Sequence, residues 1–267
     1  MRTSVETGQT LAFDRHGDPS AAPVVLLHGL SGSRLAYRNV ADEIDGDVWN
    51  VDERGHGEST RATLETYDAS SYAADIAALI ETQVRRPASV VGHSLGGVVA
   101  LTLAQSRPDL VTAIFLEDPP LYEGDAARRA ASPTAKFFPA MIAAVRERQA
   151  RGAAADEYRS IVVETAPDEV DARCQSLVLW DPTTMQAAID GIVWKEFDPD
   201  ARVGCPVTIV RADPKVGAVF TPDDADQFTT SNPHVRIAMV EGATHTVHAS
   251  PTLGAYLIHL RRFLAER

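Results

Sequence analysis

Ser89-Val90-Val91-Gly92-His93-Ser94-Leu95-Gly96-Gly97 reads as a buried strand, a sharp turn and the opening of a helix. A serine at the apex of such a turn needs small residues two before and two after it, and Gly92 and Gly96 meet that demand. Gly97 lets the helix, predicted over Leu95 to Gln105, pack close to the strand. The turn also aims the first backbone N–H groups of the helix at whatever binds beside Ser94, where they can stabilise an oxyanion. In this strand-turn-helix setting Ser94 is a candidate nucleophile.

Outward from the turn, short apolar runs alternate with helix-length amphipathic stretches, the signature of βα units around a mostly parallel sheet. Val24-Val25-Leu26-Leu27 suits a strand buried on both faces and ends at His28-Gly29. Val48-Trp49-Asn50-Val51-Asp52 is a second strand, followed by the turn-rich Arg54-Gly55-His56-Gly57. Ser70 to Val84 reads as a helix with Ile76, Leu79, Ile80 and Val84 on one face, stopped by Pro87. Val111 to Leu116 is the strand after the Ser94 helix. From Leu121 to about Asp200 the alternation gives way to short Ala- and Arg-rich helices, the pattern of a helical lid. Strands resume at Pro206 to Val210 and Val235 to Val240, before a last helix over Pro251 to Leu264. Residues 1–120 and 201–267 are therefore expected to form an α/β core and 121–200 a cap.

With 267 residues, one core carrying one inserted subdomain is the default. A net charge of −12 argues against nucleic acid as a partner, because phosphate binding needs clustered Lys and Arg. No apolar run approaches the roughly 20 residues a membrane span requires. Met1 to Glu6 lacks a secretory apolar stretch, so the expected location is cytoplasmic. Cys174 and Cys205 fit no metal-ligand spacing and read as two reduced thiols. Zinc motifs, a phosphate-binding loop and a dinucleotide fingerprint are absent from the sequence, so no metal or cofactor is expected.

The loop His28-Gly29-Leu30-Ser31-Gly32 can offer the Leu30 amide opposite the Leu95 amide, and together they would bind the oxygen of a tetrahedral intermediate. A general base belongs on a loop late in the chain. Val240-Glu241-Gly242-Ala243-Thr244-His245 places one just past a strand, with His248 the competitor three residues on. His245 is preferred because it lies nearer the strand end and Gly242 permits a sharp turn. His28, His93 and Asp52-Glu53-Arg54-Gly55-His56-Gly57 read as structural braces. Trp180 and Trp194 could line an apolar pocket, or pack the cap onto the core.

Val25-Leu26-Leu27-His28-Gly29, Asp52 to Ser59, Gly92 to Gly97 and the late His245 together resemble the α/β-hydrolase superfamily, over residues ~20–120 and ~205–265 and in that family's order. Locally, Arg86-Pro87 and Phe115-Leu116-Glu117-Asp118-Pro119-Pro120 resemble bacterial zearalenone lactonases. The superfamily likeness implies a Ser-His-acid triad, with the acid in one of two places. Most members carry it after the strand at 206–212, where this chain has Asp213. Others, some lactonases among them, carry it at the end of the strand after the elbow helix, where Asp118 lies with Glu117 beside it. Asp118 is preferred, with Asp213 and Glu117 as alternatives. The implied reaction is hydrolysis of a carboxylic ester or lactone through an acyl-enzyme, in an apolar small-molecule substrate that the lactonase likeness makes bulky and partly aromatic. C–C bond hydrolysis, acyl transfer, or a non-catalytic ligand-binding role on the same scaffold are the alternatives.

Overall fold

The computed structural model describes residues 1–5, 7–132, 134–162 and 167–267. Its strands are β1 Arg2–Ser4, β2 Thr10–Gly17, β3 Pro23–Leu27, β4 Asp47–Asp52, β5 Ala88–His93, β6 Val111–Glu117, β7 Val207–Arg211 and β8 Arg236–Met239. They form one sheet in the order β1-β2-β4-β3-β5-β6-β7-β8. β1 and β2 pair antiparallel, β2 pairs antiparallel with β4, and every pairing from β4 onward is parallel. The helices are α1 Arg38–Ala41, α2 Ala69–Leu79, α3 Leu95–Ser106, α4 Ala126–Ala131, α5 Thr134–Ala150, α6 Pro167–Leu179, α7 Thr183–Ile189, α8 Pro222–Ser231 and α9 Leu253–Glu266.

The period of two along each strand divides the core between the two faces of the sheet. Val25, Leu27, Val51 and Val90 join Ile76 of α2 and Val98 of α3 on one face. Val24, Leu26, Val48, Val91 and Phe115 join Val40 of α1 and Phe263 of α9 on the other. Full burial of each such side chain contributes roughly 1.5–3 kcal/mol, so the continuously apolar β3 run is the strongest single commitment to a two-sided sheet.

Two strands precede the first one expected. β2 escapes a pattern reading because only Leu11, Ala12 and Phe13 are buried and its second half runs out into Arg15-His16-Gly17. The 70–84 helix also ends differently. Its last turn widens into a π-helical turn over Ile80–Val84, and Arg85 closes it in the left-handed conformation at φ 61°, two residues before Pro87.

Between β6 and β7 lie α4 to α7 and short 3₁₀ turns, with no strand among the described residues. Residues 133 and 163–166 of that segment lie outside the described residues. The segment has a small core of its own, built on Met141, Val145, Tyr158, Leu177, Trp180 and Met185. No helix among the described residues is long and apolar enough to cross a membrane.

Candidate active site

Ser94 is the N-cap of α3 and sits at φ 50° and ψ −112°, a conformation L residues rarely adopt. The flanking glycines explain how the chain tolerates it. A Cβ on Gly92 would lie 2.2 Å from the Gly96 carbonyl oxygen, and one on Gly96 would lie 2.3 Å from that of Leu27. At Gly97 a Cβ would come within 2.9 Å of Pro119. The turn is tied to both neighbouring strand ends: Ser94 N–H donates to the Glu117 carbonyl at 3.0 Å, and Gly96 N–H to that of His28 at 3.1 Å.

Ser94 opens on a cavity of about 840 Å³ at the carboxyl ends of the strands. His245 lines the same cavity from the loop after β8, and so do Leu30 and Leu95. The His245 Nδ1 lies 2.7 Å from Asp118 Oδ2. That contact occupies one ring nitrogen and leaves Nε2 as the one free of the carboxylate. Asp118 is fully buried at φ 41° and accepts further bonds from the amides of Ala212, Val219 and Phe220 at 3.2, 2.8 and 3.2 Å. Four donors on two oxygens leave this carboxylate one orientation.

The other two acids stand elsewhere. Asp213 caps the turn at Pro214 through the Lys215 amide at 2.9 Å and accepts the Gly242 amide at 3.0 Å, shaping the loop before His245. Glu117 is taken by His248, whose amide and Nδ1 both lie 2.9 Å from Oε1, with Nδ1 2.7 Å from Oε2. His248, the competing base, is buried and also bonds the main chain of Ala36, so its ring is engaged beyond the carboxylate, unlike that of His245.

The amides of Leu30 and Leu95 donate to no protein group among the described residues, and both residues border the cavity. The loop carrying Leu30 is braced by an exchange between two buried histidines. His28 Nε2 accepts the Glu53 amide at 3.2 Å, and His56 Nε2 accepts the Ser31 amide at 3.2 Å. Each imidazole donates its other N–H to a backbone carbonyl, at Gly29 and Arg54 respectively. Burial lowers the pKa of both rings, strongly for His56, which suits neutral acceptors. His93, beneath the turn, has its Nε2 3.0 Å from the His245 carbonyl, and burial brings its pKa down to about 3. It is a neutral donor there.

Trp194 lines the cavity, held by a 2.8 Å bond from Nε1 to the Pro120 carbonyl. Trp180 does not. Its ring is fully buried in the core of the helical segment, with Nε1 donating to Thr184 Oγ1 at 2.7 Å, because the indole fills the space between α5, α6 and α7. The cavity wall on that side is Phe138, Met141, Met185 and Ile189 instead. Arg86 also stands away from the cavity, its guanidinium on the carbonyls of Pro19 and Ser20 and on Asp47, so half of the lactonase-like local pattern is structural.

Two features escaped the sequence reading. Arg173 of α6 reaches the Ser31 hydroxyl at 2.8 Å and so touches the loop of Leu30, and nothing in the Ala-rich segment marks it out. The Glu117–His248 pair was legible in principle, since adjacent acids at 117 and 118 are matched by histidines at 245 and 248.

A model of the alpha/beta hydrolase family matches residues 24–253. The chain is 34% identical over 123 residues to an sn-1-specific diacylglycerol lipase of Danio rerio, covering 44% of this chain and 38% of that protein. It is 47% identical over 104 residues to the 2-(acetamidomethylene)succinate hydrolase of Mesorhizobium japonicum, covering 38% of this chain and 37% of that one. The chain thus spans about two fifths of the length of these curated relatives. Among solved structures, a putative aryl esterase from Burkholderia cenocepacia superposes with a TM-score of 0.80 over 100% of this chain and 98% of that one. At 20% identity that likeness shows the fold alone.

Proposed function

The chain belongs to the alpha/beta hydrolase family, and from that premise we propose that it is a serine hydrolase cleaving a carboxylic ester or lactone through an acyl-enzyme. One observation carries the reading. The His245 ring bonds Asp118 at 2.7 Å while facing the cavity onto which the strained Ser94 opens.

In the proposed reaction the Ser94 hydroxyl attacks the carbonyl carbon as His245 Nε2 takes its proton. Asp118 holds the tautomer with the proton on Nδ1 and stabilises the imidazolium that forms. The amides of Leu30 and Leu95 receive the oxyanion, each such donor worth about 2.7–4 kcal/mol in the transition state. Collapse of the intermediate expels the alcohol, which takes the proton from His245. Water, deprotonated by His245, then releases the acid and restores Ser94.

The cavity supports a bulky, largely apolar substrate. Its volume lies within the ~300–1,000 Å³ of small-molecule sites, and Phe138, Met141 and Trp194 line it beneath the helical segment, which acts as a lid in this reading. A second reading, hydrolysis of an amide that carries carboxylates, is favoured by the Mesorhizobium relative and by Arg38, Arg129 and Arg173 in the cavity wall.

The test is labelling with a fluorophosphonate, wild type against Ser94→Ala, followed by assays on short p-nitrophenyl esters, a resorcylic lactone and 2-(acetamidomethylene)succinate. Labelling lost in the variant, with kcat reduced on the order of 10⁶-fold, is the expected result. A folded wild type that takes no label and turns over none of the substrates overturns the hydrolase reading. Turnover of the succinate amide in preference to every ester selects the second reading.

A further inference from the structure

β6 runs into two consecutive carboxylates, and the loop after β8 presents two histidines three residues apart. The two acids divide the two rings between them, Asp118 holding His245 and Glu117 holding His248. The hydrolytic mechanism uses the first pair and leaves the second unexplained.

The second pair is the more deeply buried. Glu117 is fully buried and His248 nearly so, whereas the His245 side chain is 35% exposed. The Glu117 carboxylate binds His248 at both its main-chain amide and its ring, so it fixes chain and side chain together. Tyr37 stacks on that ring with centroids 4.6 Å apart and directs its hydroxyl at Glu117 Oε2, 3.4 Å away. His93 meets the His248 ring edge-on at 5.4 Å and bonds the His245 carbonyl with its own Nε2. His245 is thus gripped at its ring by Asp118, at its main chain by His93, and through the chain three residues on by Glu117.

A buried ion pair is a poor source of net stability, because removing both charges from water costs several kcal/mol each, and apolar side chains of similar volume commonly serve as well. What such a pair does supply is a single geometry. We propose that Glu117 and His248 are positioning residues that lock the 245–248 turn, so that the His245 ring meets Asp118 and Ser94 in one orientation. The inference rests on the serine-hydrolase reading.

The surrounding charges agree with that role. Burial would raise the Glu117 pKa, but the charge of His248 and the hydrogen bonds from its ring and amide outweigh it and hold the carboxyl at about 2. Burial would lower that of His248, but Glu117, with Glu169 facing it from α6, raises it above the ordinary 6.5. The other groups against it are neutral: His93 at the end of β5, and the phenols of Tyr37 and Tyr256, whose pKa values burial drives well up.

The experiment uses the full chain. His248→Ala and Glu117→Gln are compared with wild type for kcat, KM and the low-field proton resonance of the His245 Nδ1–H on Asp118. Misplacement of a reacting group by about 1 Å can cost on the order of 10²-fold, so kcat is expected to fall about 10- to 100-fold. KM should stay within about twofold, and the low-field resonance should broaden or vanish. His248→Asn, whose amide nitrogen takes the place of Nδ1 toward Glu117, should recover most of the loss. A folded His248→Ala protein with the resonance intact overturns the proposal, whatever its kcat, and leaves a purely structural pair. If His248→Ala does not fold, Glu117→Gln is judged by the same criteria. The resonance is read without substrate, so the outcome stands apart from that of the Ser94→Ala test.

Discussion

At the carboxyl edge of the sheet, Ser94 and Asp118 take φ angles of 50° and 41°, and a Cβ on Gly92 or Gly96 would strike main-chain atoms. In the helical segment above, Met141, Val145, Leu177, Trp180 and Met185 pack on one another, and that core meets the edge through Leu30 and through hydrogen bonds. The Asp181 amide donates to the Gly55 carbonyl at 2.8 Å, the Tyr67 hydroxyl bonds Asp181 at 2.7 Å, and Ser33 bonds Ser176 at 2.7 Å. The edge is a place where the backbone has little slack, because Ser94 and Asp118 are tied by main-chain bonds to neighbouring strand ends and loops, and His245 is tied in turn by the side chains of Asp118 and His93. The Asp181–Gly55 main-chain bond apart, the upper segment is held by side chains that can be exchanged one at a time. Chemistry is accordingly expected to fail abruptly on substitution at the edge, and specificity to drift on substitution above it.

The sharpest way to break this contrast is Asp118→Asn. It keeps the shape at the edge but turns one acceptor oxygen into a donor facing His245 or the main-chain amides, and is expected to lower kcat about 10⁴-fold and to lower the melting temperature as well. Steady-state kinetics and a thermal melt check it, and a loss under about tenfold would mean that Asp118 does not orient the base.

Next comes a pair of tryptophans in the upper segment. Trp180→Ala removes a fully buried ring and should destabilise the protein by about 3–5 kcal/mol, read by denaturant unfolding, while leaving the relative rates on large and small esters unchanged. Trp194→Ala should do the reverse, raising KM for a bulky aromatic ester about tenfold and leaving a short acetate ester nearly untouched. Equal effects of Trp194→Ala on both esters would remove it from the pocket wall.

The smallest effect concerns pH. The depressed Glu117 pKa gives stability that is present above 4.5, the ordinary glutamate value, and is lost as pH falls toward about 2. The raised His248 pKa gives stability that is full below 6.5 and lost as pH rises through its folded value. The melting-temperature gap between wild type and Glu117→Gln should therefore be widest between about pH 4.5 and 6.5 and narrow on both sides. A gap that stays the same well below pH 4.5 and well above pH 6.5 would show that the pair carries no net charge interaction.

Much of the sheet was legible because its strands announce themselves locally. Val24 to Leu27 is apolar on both faces, and Gly92, Ser94 and Gly96 are spaced for one kind of turn. β2 was not legible, since a half-exposed strand that ends in charged residues has no distinct period. In the site, Ser94 and His245 stood out by their place after predicted strands. The acid did not, because Asp118, Asp213 and Glu117 are all plausible in sequence and all buried in the fold. Trp180 and Trp194 looked alike in composition and were separated by packing alone.

The sequence by itself determined the alternating sheet, the strained serine turn and the late histidine, because each depends on residues within one short run and on the steric limits of the backbone. Only the tertiary structure decided which acid serves which histidine and which tryptophan faces the cavity. His245 and Asp118 are 127 positions apart, and two adjacent carboxylates divide two histidines by the directions in which the end of β6 and its neighbours point the side chains. Such directions arise when strands pack side by side, and no local pattern carries them.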